Sequence, residues 1–430
     1  MGNSADWTNA PDANVSGGPN TKNEGYDDAV PTYEAPTANN DDGGMLSSEE
    51  GELINYKTLN WWQGGIVLIA ETVSLGILSL PSVLATVGLV PGIVLILVMS
   101  ALSTYSGVVL AEFRRAYPFV QNFGDAVEVI FQVFVMGSHL LTWTICLNTL
   151  TSSSTCTIVW AVVGLAVFWV LNLPRTLKWT SYMSMTSCLS ITVAMLMTLG
   201  DVATEKPIGS GSIEVARHLG FTGAFLAVTN IAVAFSSHSC FFSVIGEFKN
   251  PDDWPKALAL LQICDTTLYL LAAIVIYVYV GQDVPSPALS AAHSPTMRKA
   301  IWGVAIPTIV IAGVIYGHVA AKYIFSRMFR DTKHMIRRTK LSNLAWVAVT
   351  LGIWILATVI AESIPVFNSL LGLIAALFAS CKAQTCRFVA NVVLFLTGFL
   401  ICVLGLWASI EAIATEKGTK PWTCASNAAE

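Results

Sequence analysis

Glu71 stands inside a long apolar run, in the stretch IAETVSLGILSLPSVLA (Ile69 to Ala85), together with Ser74, Gly76, Ser79 and Pro81. A carboxyl in hydrocarbon is expensive, and where one occurs it tends to mark a path for protons, ions or substrate. Glu71 is a candidate for taking up and releasing a proton; the competing reading is a structural hydrogen bond to a neighbouring helix. A second polar cluster interrupts a later run. AFSSHSCFFSVIGEFKNP (Ala234 to Pro251) sets Ser236, Ser237, His238 and Ser239 side by side. Histidine titrates near neutral pH and donates hydrogen bonds, so His238 suits a proton carrier, a substrate contact or polar packing. Ser236 and Ser237 are candidates to line a cavity, against the alternative that they bond back to their own helix. Phe241 and Phe242 are candidates to wall an apolar ligand, against simple lipid or core contact.

These residues need elements to hold them, and the composition says which kind. The 430 residues are 54% hydrophobic and 12% charged, about half the charge of a soluble domain. Runs of about 20 apolar residues read as transmembrane helices. Eleven follow one another: Trp62–Val87, Val90–Ala111, Val127–Leu147, Ile158–Leu173, Tyr182–Leu199, Thr222–Val244, Ala257–Val280, Ala300–Tyr323, Leu344–Ile360, a shorter Val366–Ser380, and Phe388–Ile410. Residues 1–57 are different. They hold eleven of the 28 acids and two bases, Lys22 and Lys57, and are poor in aliphatics. Such a segment does not bury enough apolar surface to offset ordering, so it reads as a disordered acidic cytosolic tail. Residues 58–413 form the membrane domain, and 414–430 a short C-terminal tail.

Orientation follows from the bases. With the N-terminus in the cytoplasm and every run crossing, fifteen of the remaining 21 Lys and Arg face the cytoplasm and six face outward. That is the positive-inside pattern. The basic cluster from Lys322 to Lys340 accordingly reads as an inner-leaflet loop rather than a nucleic-acid site. FRRAYPFVQNFGDAVEVI (Phe113 to Ile130) reads as an amphipathic segment at the cytosolic surface. The nine cysteines show no paired spacing of zinc or redox type and no disulfide framework. His139, Asn148, Asn230, Asp265 and His318 read first as interhelical hydrogen-bonding groups. Glu247 and Asp252 suit a solvated or gating salt bridge.

Proline lacks an amide donor and glycine relaxes the backbone, so the run around Gly76 and Pro81 is expected to break into two half-helices. Backbone left open at membrane depth is tolerated only where it lines a cavity. Leu75, Gly76 and Ile77 are expected to offer amides to a carboxylate, which helix ends favour. The two interrupted runs are the first and the sixth. With five spans per half, each opens its half, the arrangement that in secondary transporters points to a site at mid-membrane.

TVSLGILSLP with SSHSCFFSVIGEFKNP, the longer AETVSLGILSLPSVLATVGLVPG, YGHVAAKY (Tyr316 to Tyr323) and the acidic tail together resemble the amino acid/auxin permease family, nearest its fungal neutral amino acid permeases. The resemblance covers about residues 50 to 425. It implies an all-helical polytopic protein of about eleven spans. It further implies a five-plus-five inverted repeat like the leucine-transporter fold, with helices 1 and 6 broken. It also implies proton-coupled uptake of neutral amino acids, with the proton as coupling ion and no other cofactor. One departure stands out: the family's tenth span continues further, whereas Val366–Ser380 runs into CKAQTCRFVA. Fifteen helical residues reach about 22 Å, against roughly 30 Å of hydrocarbon, so the tenth span is truncated.

The expected activity is proton symport at the plasma membrane. The alternatives are export from a vacuole by the same fold and a receptor that binds amino acid without transporting it. An enzyme is not expected, since no nucleophile–base pairing, phosphate loop or metal spacing lies outside the spans.

Overall fold

The computed structural model describes residues 59–116, 125–175, 180–204, 213–218, 220–329, 332, 339–374, 388–415 and 420–428. The acidic tail expected over 1–57 lies outside them. The described elements are helices, short 3-10 turns and one isolated bridge between Leu59 and Phe248.

Helix α1 (Trp61–Gly76) and α2 (Leu80–Val87) follow each other with a 50° bend between them. Then come α3 (Leu89–Ala116), α4 (Asp125–Thr151), α5 (Thr157–Leu171) and α6 (Thr180–Thr204). A second pair, α7 (Phe221–Ala234) and α8 (His238–Glu247), is followed by α9 (Trp254–Val280), α10 (Pro295–Met328), α11 (Lys340–Ser363), α12 (Phe367–Ile374) and α13 (Phe388–Thr415). Among the described residues, α3, α4, α6, α9, α10, α11 and α13 are each long and apolar enough to cross a membrane, and the α1–α2 pair adds an eighth crossing. α5 and α7 are shorter apolar helices. Each of the eleven apolar runs coincides with one helix or one broken pair. The tenth run is helical over Phe367–Ile374, and its remainder falls outside the described residues.

The pattern of burial is that of a protein solvated by lipid. Large apolar side chains such as Val94, Val162, Leu189, Leu356 and Phe399 face outward. Glu71, Gln132, His139, Asn148, Asp265 and His318 are buried. In hydrocarbon an apolar exterior costs nothing, and polar groups gather inside where partners or cavities exist. α4 packs along α10 and α11, and α10 packs along α6, forming a scaffold beside the two broken pairs.

The broken pairs are tied to each other at the end where α1 begins, and the first is tied at its other end to the segment before α7. Lys249 N donates to Leu59 O (2.9 Å), joining the entry of α1 to the exit of α8. At the other end, Leu89 N and Val90 N donate to Glu214 O and Val215 O (3.0 Å each). The segment expected to be amphipathic is helical up to Ala116 and from Asp125, and residues 117–124 lie outside the described ones.

The cysteine reading is corrected: Cys156 and Cys424 form a disulfide. The two are 268 positions apart, a separation that spacing rules, which see only local pairs, do not reach. Cys156 lies in the turn between α4 and α5, so the bond fixes the C-terminal tail at that end of the two helices. Four hydrogen bonds hold it there. Asn427 accepts from Asn148 Nδ2 and donates to Thr144 Oγ1 (2.8 Å each), Ser153 Oγ donates to Ser426 Oγ (2.6 Å), and Thr157 Oγ1 donates to Ala425 O (2.7 Å).

Candidate functional site

The first break is a tight turn. α1 ends at Gly76, and Leu78 N and Ser79 N donate to Leu75 O (3.1 Å) and Gly76 O (3.3 Å). Ser79 Oγ also donates to Gly76 O (3.1 Å). Leu75 and Gly76 therefore lie in the last turn of α1, where amides belong to the helix's own ladder and carbonyls are the groups left to pair. The expectation that these two residues present amides is corrected accordingly. What reaches the cavity is the surface of their turn.

The second break has the same form. α7 ends at Ala234, Phe235 N and Ser236 N donate to Ile231 O (3.3 Å) and Val233 O (3.0 Å), and α8 starts at His238. Ser236 Oγ bonds back to Val233 O (2.7 Å). Ser237 Oγ is buried without a protein hydrogen-bond partner and makes no cap to α8.

The two breaks meet. Tyr269, fully buried on α9, donates its hydroxyl between Thr72 O of α1 and Ala234 O of α7, each 2.8 Å away. One proton shared by two carbonyls draws both interrupted spans onto a single point.

Beside this point lies a cavity of about 380 Å³, counted out to its mouth, lined from five helices and the second break. α1 contributes Glu71, Thr72, Leu75 and Gly76, the second break Ser236 and Ser237, and α4 contributes Val135 and His139. Val233 of α7, Tyr316 of α10, and Leu371 and Ile374 of α12 complete it. The Glu71 carboxyl is hydrogen-bonded to the Cys240 thiol, and its Oε1 is buried with no hydrogen-bond partner among the described residues. His139 Nδ1 donates to Ile309 O of α10 (3.1 Å), and its ring lies 5.7 Å from that of Tyr316. With Nδ1 carrying the proton, Nε2 is the acceptor of the neutral ring.

Five of the residues expected from sequence are thus gathered here: Glu71, Leu75, Gly76, Ser236 and Ser237. Ile77, in the turn itself, is buried and is not part of the lining. His238 is not part of it either. Its Nε2 meets Ser106 Oγ (2.5 Å) and Ser103 O (3.2 Å), both on α3. A helical step of about 100° separates successive residues, so where Ser237 meets the cavity its neighbour meets α3. Phe242 lies on α8, and its side chain is outside the described residues; Phe241 is buried against His238 and Trp254. His139, expected as an interhelical hydrogen-bonding group, makes that bond to α10 and also lines the cavity, and Tyr316 is a lining residue that sequence reasoning did not single out. A mid-span histidine and a tyrosine on other helices were the available signals, and neither carries its direction in the sequence. Asp252, expected in a salt bridge, pairs with Arg115 at 3.3 Å on the exposed surface, where such pairs contribute little. The Glu247 side chain is outside the described residues.

A helical membrane protein with two spans interrupted at mid-depth, their breaks tied together beside a part-polar, part-apolar cavity, has the build of a secondary transporter. The comparison with known sequences gives the family. The chain belongs to the transmembrane amino acid transporter protein family, whose profile matches residues 57–383. It is 29% identical to an N amino acid transport system protein of Neurospora crassa, across 89% of this chain and 92% of the relative. A protein described as a transmembrane transporter from Gibberella moniliformis is 26% identical across 87% and 89%. Among solved structures, Mhp1 in its inward-facing conformation aligns with a TM-score of 0.50 at 12% identity, over 87% of this chain and 94% of that one, a likeness of fold. The protein is a multi-pass membrane protein of an amino acid transporter family.

Proposed function

We propose that the chain is a proton-coupled symporter of neutral amino acids at the plasma membrane. The observation that carries this reading is the cavity at the meeting point of the two breaks. Glu71 Oε1 and Ser237 Oγ both lie unpaired in its lining, and Leu75, Val135, Val233, Leu371 and Ile374 supply apolar wall. Among the described residues no lysine or arginine lines it, so a substrate with a charged acidic side chain would find no counter-ion among them. A zwitterion with an apolar side chain fits that chemistry. Its carboxylate would sit at the start of α8, where the first amides of a helix and the Ser237 hydroxyl favour an anion. Its apolar side chain would lie toward α4 and α12. Glu71 is the carboxyl that would exchange the proton, and no other cofactor is needed. The membrane potential favours inward movement of the added charge by about 2.3 kcal/mol per 100 mV.

The test is uptake of a radiolabelled panel of neutral, acidic and basic amino acids at two external pH values, in cells expressing the chain, with isolated vacuoles assayed alongside. The reading requires accumulation of neutral members, greater at the lower pH, in whole cells. Binding without accumulation would make the protein a receptor, and flux confined to vacuoles would make it an exporter there.

A further inference from the structure

Asp265 of α9 is outside the cavity and has no part in the site described above. It is fully buried, and both of its carboxyl oxygens lack a hydrogen-bond partner among the described residues. It lies one helical turn before Tyr269, the residue whose hydroxyl holds Thr72 O and Ala234 O together. Side chains four apart share a helix face and lean toward the helix N-terminus, so the phenol leans toward the carboxyl.

We infer that Asp265 is a second proton-binding site, and that its protonation sets whether Tyr269 ties the two broken spans together. The inference deepens the proposed symport and rests on it.

The surroundings argue for a proton rather than a metal ion. A carboxylate with neither oxygen paired does not persist as an ion in a low-dielectric interior, so Asp265 holds its proton in this conformation. The titratable groups that face it are Cys188 of α6 and Cys264 and Tyr269 of its own helix. None of the described ion pairs reaches Asp265. α2 carries no titratable side chain. Glu71 of α1 and Tyr316 of α10 belong to the cavity lining. From α3 the polar group at this level is Ser100, engaged with Thr266 Oγ1 at 2.6 Å. Among the described residues no group of three or more His, Cys, Asp or Glu is placed to hold a metal ion, whereas hard cations take about six oxygen ligands.

The consequence for transport is direct. While Asp265 is neutral, the Tyr269 hydroxyl has only the two carbonyls to donate to, and the breaks stay joined. When the proton leaves, the new carboxylate one turn away competes for that same hydroxyl hydrogen. While the tie holds, the broken pairs move together against the α4–α10 scaffold; once it loosens, α1 and α7 part and the site opens to release what it holds. Proton binding is thereby linked to the position of both breaks without Asp265 touching the amino acid.

The experiment uses the full chain reconstituted in liposomes, as wild type, Asp265→Asn, Asp265→Glu and Tyr269→Phe. The probe is labelled alanine, leucine or phenylalanine, whichever the wild type exchanges fastest. Exchange without a gradient, accumulation driven by an acid-outside gradient, and proton entry reported by a trapped dye are measured together. Asp265→Asn is expected to lose gradient-driven accumulation and proton entry by tenfold or more, while exchange falls by no more than severalfold. Asp265→Glu is expected to retain both gradient-driven readouts, and Tyr269→Phe to exchange with a weakened pH dependence. Gradient-driven accumulation in Asp265→Asn within twofold of wild type overturns the proposal. Should that variant fold poorly, the infrared carbonyl band of protonated acids decides. A pH-sensitive band in wild type that shifts in frequency in Asp265→Glu supports the site, and a spectrum unchanged by that substitution overturns it. Absence of exchange of every probe by the wild type would instead defeat the symport reading, and the infrared comparison would still report on Asp265.

Discussion

Gly76 and Ala234, the last helical residues before the two breaks, are in direct contact. A methyl group placed on Gly76 would come within 2.6 Å of Ala234 Cα and 2.9 Å of Ala234 Cβ. The neighbours that would have to give are backbone and a first side-chain carbon, neither of which rotates aside. The same methyl would lie 3.2 Å from the Tyr269 hydroxyl. Glycine is therefore required here by close approach between two spans, and not by its backbone angles.

Gly76→Ala is accordingly expected to push α1 and α7 apart and to lengthen one or both Tyr269 hydrogen bonds. Overpacking of this kind costs about 1–3 kcal/mol, and the uptake rate is expected to fall at least tenfold. Ala234→Gly, which removes only the Cβ contact, is expected to leave Gly76→Ala largely unrescued. Transport and surface abundance, measured on the two single variants and the double, check this. Full activity in Gly76→Ala would mean that the breaks do not need to meet.

Glu71→Gln preserves size and hydrogen-bonding capacity while removing the exchangeable proton. Because Glu71 Oε1 is already unpaired within the protein, the amide replaces no native bond at that atom, and folding is expected to survive. Wild-type uptake is expected to rise as external pH falls. In Glu71→Gln the profile is expected to be flat between acid and neutral pH, with protein still at the membrane. An unchanged pH profile removes Glu71 from the coupling path.

The elements of this fold were legible because lipid imposes a length and a composition on each span. The eleven apolar runs and both breaks could be read from Pro81, Gly76 and the Ser236–Ser239 cluster without any tertiary knowledge. What was not legible is direction. Ser237 and His238 are neighbours in sequence, yet one lines the cavity and the other bonds to Ser103 and Ser106. His139 and Tyr316 enter the lining from helices whose own patterns show only that they are apolar. Tyr269 looks like an ordinary aromatic in a long span, and its role exists only because Thr72 O and Ala234 O converge on it. Contacts between residues 35 and 197 positions apart leave no periodic trace.

His139 makes a prediction that separates fold from function. Its Nδ1–H pairs with Ile309 O across the α4–α10 contact, and its other nitrogen is an acceptor beside the cavity. Replacing it with leucine removes both groups, and a lost buried hydrogen bond costs about 1–3 kcal/mol. His139→Leu is expected to lower both thermal stability and uptake. His139→Gln, which can still donate toward Ile309, is expected to recover most of the stability while substrate affinity remains weaker by severalfold. Thermal unfolding in detergent and the KM for uptake distinguish the two effects. Equal KM for His139→Gln and wild type would place His139 in the scaffold alone.

The tail at residues 420–428 supplies a test of the whole crossing pattern. Cys424 is bonded to Cys156, and Asn427 reaches Asn148 and Thr144, two fully buried residues of α4. The positive-inside count puts the turn at Cys156 outside the cytoplasm, which is also where disulfides persist. An epitope appended after Glu430 is therefore expected to be labelled in intact cells without permeabilisation. Labelling only after permeabilisation would require an even number of crossings and would contradict the bond. Asn427→Ala leaves Asn148 and Thr144 short of a partner each, so a loss of about 1–3 kcal/mol is expected. Cys424→Ser is expected to free the tail further, seen as a new alkylatable thiol at Cys156 and faster proteolysis beyond Thr415. Since α4 also carries His139 and Val135 into the cavity, the two tail variants are expected to lower the uptake rate by severalfold and to leave substrate selectivity intact. A tail that can be cut away with no change in stability would show that these bonds hold the tail to the protein and not the helices to each other.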